Sequence, residues 1–62
     1  MAHTSKAEIA RRWFAAYEME LVYRVPELAG KIDWDTAMFF FNRGDEAGEA
    51  AAHTAKRWKD HD

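Results

Sequence analysis

Between Lys6 and Arg24 the apolar residues Ile9, Trp13, Tyr17 and Leu21 recur at every fourth position, with Ala10 and Phe14 beside them. That spacing marks an amphipathic helix, whose side chains return to one face at intervals of three and four. Ser5 to Glu8 supplies a capping box at its start: the serine hydroxyl accepts from a free backbone N–H and the glutamate reaches back. Pro26 disfavours helical geometry at Val25, so the first helix is predicted over residues 6–24. Glu20 and Arg24 stand at the edge of the apolar arc, in the favourable i, i+4 order of acid before base.

The connection from Pro26 to Asp33 holds the only proline and Gly30. It reads as loop, although Pro26 to Ala29 has the composition of one short helical turn. Asp33 suits an N-cap and Asp35 a first turn, where negative charge meets the positive end of the helix dipole. A second helix over 34–43 then places Trp34, Ala37, Met38 and Phe41 on one face. Asn42, Arg43, Gly44 and Asp45 read as a helix end on a left-handed glycine, with the aspartate as a new N-cap. The third helix, 46–59, is rich in alanine, the best helix former. Its stripe of Ala47, Ala50, Ala51, Thr54, Ala55 and Trp58 is shallow enough to receive large rings. If the chain runs straight through Gly44 instead, the last two helices merge into one kinked helix. In either form the expected fold is all-α, a small antiparallel hairpin or three-helix domain over residues 1–62, with the first helix packed antiparallel to the second.

This pattern leaves a surplus. Met38, Phe39, Phe40 and Phe41 are consecutive, and helical residues rotate by about 100° each, so they wrap apolar surface around most of the circumference. Phe40 falls about 90° from the centre of the Trp34 face and Phe39 nearly opposite it, among Asp35, Arg43 and Glu46. The end of the first helix has the same excess, because Met19, Leu21, Val22, Tyr23 and Val25 point in several directions. A hairpin gathers both at the end of the molecule beside the loop. The prediction is an interaction patch made of Phe39, Phe40, Val22, Tyr23 and Met19, unless the loop folds over that end and covers it with Leu28 and Ile32.

Composition narrows the chemistry. The absence of cysteine removes disulfides, thiolate metal sites and cysteine nucleophiles, and favours a reducing setting. Hydroxyl side chains other than tyrosine are confined to Thr4, Ser5, Thr36 and Thr54, with no glycine-rich phosphate loop. A domain this small leaves little room for a pocket of about 300 Å³ or more unless subunits form it jointly. An enzyme is therefore not expected. Glu49 and His53, with Glu46 just before them, have a spacing that could offer ligands to a divalent metal, but a carboxylate-bridged site needs further glutamates from other helices. They read as a solvated pair, and no metal or cofactor is expected. His3 and His61 read as residues of fraying tails.

The net charge of -2 is spread along the chain without a dense basic stripe. Lys6, Arg11 and Arg12 could line one helix against phosphate, but Asp33 and Asp35 open the next helix with repulsive charge. No run approaches the roughly 18 apolar residues of a membrane span, and the first residues lack the apolar stretch of a signal peptide. These features predict a small cytoplasmic protein-interaction module, an inhibitor, adaptor or accessory subunit, binding another protein or a second copy of itself as a homodimer. A helical nucleic-acid-binding regulator is the alternative. Salt separates the two, since nucleic-acid binding weakens steeply with it and an apolar interface holds.

Overall fold

A computed structural model describes residues 5–60. It contains α1 (Lys6–Arg24), a single 3-10 turn (Pro26–Leu28), α2 (Trp34–Arg43) and α3 (Ala47–Asp60). The caps set these limits. The Ser5 hydroxyl accepts from the Glu8 N–H at 3.2 Å, but the Glu8 carboxylate faces Arg12 at 3.7 Å, so only half of the predicted capping box forms. Asp33 caps α2 more fully: one carboxylate oxygen accepts from the N–H groups of Asp35 and Thr36 at 3.1 and 3.3 Å, and the other from the Thr36 hydroxyl at 2.8 Å. The stretch read as loop after α1 begins instead with the 3-10 turn, started by the proline whose missing N–H costs nothing there.

Gly44 ends α2 in the left-handed region, at φ +87°, and its N–H and that of Asp45 return to carbonyls of the last turn. The last two helices are therefore separate, and no merged helix forms. Asp45 is not the cap expected of it. α3 starts two residues later, while the Asp45 carboxylate pairs with Arg43 at 2.9 Å and its carbonyl accepts the Trp13 indole N–H at 2.8 Å.

The principal packing joins α1 to α3 rather than to α2, correcting the simple hairpin. Ala50, Ala51 and Ala55 are buried in α3, and a face of methyl groups lets a neighbouring helix carrying large rings approach closely. Trp13 of α1 bonds to Asp45 just before α3, and Tyr17, one turn on, bonds to Thr54 at 2.9 Å within it. The two helices therefore run in the same direction, with α2 as the returning element. The core gathers Tyr17, Leu21, Val25, Leu28, Ala37 and Phe40 around the three alanines. Ile9, predicted in the stripe of α1, is largely exposed. A four-residue spacing advances about 40° per step, so a stripe that reaches Val25 has turned away from Ile9.

On α2 the buried face is turned from the predicted one. Phe41 meets the rings of Trp13 and Phe14 at 5.4 Å, while Phe40 points to the other side, its ring 5.7 Å from that of His53 on α3. Adjacent phenylalanines thus serve two different helices. Trp34 lies edge-on to Phe14 at 5.9 Å but remains part exposed, and Met38 is half exposed rather than core.

Candidate interaction surfaces

The five residues expected to form one patch do not converge. Phe40 is only 4% exposed and belongs to the chain's own core, because the second surface that the phenylalanine run required is α3. Val22 is half-buried. Met19 and Tyr23, 73% and 83% exposed, stand one turn apart on the side of α1 away from its buried stripe. Phe39, 58% exposed, lies on the outer side of α2. The loop covers part of the surplus as the other reading required, since Leu28 is buried with Val25 and Ile32 packs partly against them.

Phe39 is not isolated. Its ring meets Phe40 edge-on at 5.6 Å, and the Arg43 guanidinium lies over both rings at 5.4 and 5.6 Å. Such stacking fixes the planar cation above the rings, where it also pairs with the Asp45 carboxylate at 2.9 Å. Beside Phe39 a hollow of about 350 Å³ opens between α2 and α3, with Phe40 in its lining and Arg43, His53, Arg57 and Asp35 around it. With Arg43 paired to Asp45, the charges of Arg57 and Asp35 balance, and the surface is an apolar ring within a rim of both signs.

A larger cleft, of about 500 Å³, lies between α1, the connection after it and the end of α3. Size alone argued against a pocket in so short a chain, and the structure corrects that expectation. The 3-10 turn and the extended residues after it act as a third wall, a property that no helical periodicity encodes. Tyr17 and Thr54 line the cleft, and burial raises the Tyr17 phenol above its usual value; the hydrogen bond to Thr54 opposes this and the nearby Asp33 charge adds to it. Asp33 itself is held below the usual carboxylate range by the Thr36 hydroxyl and by the N–H groups it caps.

The other candidate chemistry does not assemble. Among the described residues no three histidine, aspartate or glutamate side chains come together, and the exposed His53 ring packs on Phe40. His3 and His61 lie outside the described residues. Lys6 and Arg11 are exposed on α1, while Arg12 faces Glu8. No described helix is long and apolar enough to cross a membrane. No known family model matches the chain, and neither a curated protein nor a solved structure shows significant similarity to it.

Proposed function

We propose that this chain is a small protein-binding module, an inhibitor, adaptor or accessory subunit, that docks through Phe39 and the hollow beside it. The exposed Phe39 ring carries this reading. It lies on the side of α2 away from the core, held next to Phe40 under Arg43, and contributes little to the chain's own packing. Covering the exposed part of this ring supplies apolar burial worth about 1–2 kcal/mol, and rings and arginines are the residue types that dominate protein interfaces. The rim of both signs selects a partner with an apolar centre and polar groups around it.

The apolar α1 face of Met19, Val22 and Tyr23 is a separate surface, suited to self-association. The lack of cysteine agrees with a cytoplasmic setting.

A photo-crosslinking residue at position 39, introduced in the cells that make the protein, tests the reading. The expected result is a discrete protein adduct whose purified partner binds the chain and loses at least tenfold in affinity on Phe39→Ser, with the helical signal unchanged. Adducts to nucleic acid, no adduct, or an affinity indifferent to Phe39→Ser would each overturn it.

A further inference from the structure

The 500 Å³ cleft has the character of a small-molecule site and lies apart from Phe39. Its volume is within the roughly 300–1,000 Å³ usual for such sites, and its composition is also typical, an apolar lining with a few polar groups. Leu21 and Leu28 form the base, and the half-exposed Trp58 on α3 offers a ring face. This part of the cleft suits a flat apolar or aromatic body.

The polar groups determine what that body carries. Tyr17 and Thr54 hold two hydroxyl hydrogens between them and spend one in their mutual bond, so the second is left for an outside acceptor. Lys31 and Arg57 also line the cleft, and among the described residues neither has a carboxylate partner; the ion pairs there are Arg12 with Glu8, Arg24 with Glu20 and Arg43 with Asp45. Two carboxylates belong to the same lining. Asp33 already accepts three hydrogen bonds as the cap of α2, which leaves Asp60, on the last turn of α3, as the carboxylate with acceptor capacity to spare. Formal charge balances, but unspent donors outnumber unspent acceptors. The cleft is donor-rich above an apolar base.

We infer that this cleft binds a small organic anion with an aromatic or apolar body, its ring against Trp58 and Leu28 and its carboxylate between Lys31 and Arg57. The site is separate from the proposed docking face apart from Thr36 and Arg57, which border both.

Three probes that share one ring and differ in charge test this on the full chain: indole-3-acetate, indole-3-acetamide and tryptamine, titrated into nitrogen-15-labelled protein and followed by amide chemical shifts. Indole-3-acetate should bind about tenfold more tightly than the amide, the effect of a charge-assisted contact, with shifts centred on Leu28 to Asp33 and Thr54 to Trp58. Lys31→Met combined with Arg57→Met should reduce the acid to the amide's affinity and leave the amide unchanged. Preference for tryptamine, equal binding of all three, shifts centred elsewhere, or no saturable binding of any probe would overturn the inference.

Discussion

Alanine substitution at the neighbouring positions Phe39 and Phe40 removes the same atoms from the same helix and should give very different losses. Phe40 is almost fully buried between α2 and α3, and truncating a core phenylalanine costs about 3–5 kcal/mol through lost transfer energy and the cavity left behind. Folded domains are stable by roughly 0.05–0.15 kcal/mol per residue, which for 62 residues is about 3–9 kcal/mol. Phe40→Ala therefore removes between about a third of the stability and all of it. Phe39 has less than half its surface covered, so its loss costs about 1 kcal/mol. Urea unfolding followed by far-ultraviolet circular dichroism separates these outcomes: at a slope of about 1 kcal/mol per molar, the two midpoints should differ by about 2 M or more. Should Phe40→Ala fail to fold, Phe40→Leu, which keeps part of the side chain, should still lose on the order of 1–2 kcal/mol. Equal losses at the two positions, or a larger one at Phe39, would refute both the burial pattern and the case for Phe39 as a free surface.

Two further outcomes follow from single contacts. Gly44→Ala and Gly48→Ala introduce the same methyl group, which meets nothing within 4 Å at either position; the first should lose about 1–2 kcal/mol because its φ of +87° disfavours a Cβ, and the second, inside α3, should gain about 0.5–1 kcal/mol, both read by thermal unfolding. Tyr17→Phe removes the bond to Thr54 and should cost about 1 kcal/mol at neutral pH. Because burial raises the Tyr17 phenol, the folded state holds its proton where the unfolded state has released it. The contribution of Tyr17 to stability should therefore be level below the ordinary tyrosine value of 10.0 and fall as pH rises from there through the raised value. Denaturation midpoints across alkaline pH should show a shallower fall for Tyr17→Phe, and an identical slope would rule out the buried phenol as its source.

The helices were legible because their limits rest on local chemistry. Ser5, Asp33, Pro26 and Gly44 each act on backbone groups within a few residues, and periodicity reports the middle of the buried stripes of α1 and α3, although Ile9 and Trp58 at their ends are half exposed. The fate of Phe40 was not legible. A face can be read from one helix, but how wide an arc a helix buries depends on how many neighbours it has, and α2 has two. The misassignment of Asp45 has a similar origin, since its carboxylate answers Arg43 and its carbonyl answers Trp13 from 32 positions away. The cleft escaped because its third wall is the irregular segment between α1 and α2, where periodicity carries no information. Phe39, opposite the buried side of its own helix, was legible as an outward ring, because that position needs only the helical rotation to be known.

The pairing of α1 with α3 bears on how the chain comes to fold at all. The two bonds that anchor it, from Trp13 to Asp45 and from Tyr17 to Thr54, span 32 and 37 positions. Contacts so distant require a long loop to close before they return any energy, and the entropy of that closure weighs against partial structures. A nascent chain that has made α1 and α2 still lacks the alanine surface against which α1 settles. α3 is thus the helix that makes α1 worth forming, and α1 leaves the ribosome before the surface that stabilises it exists.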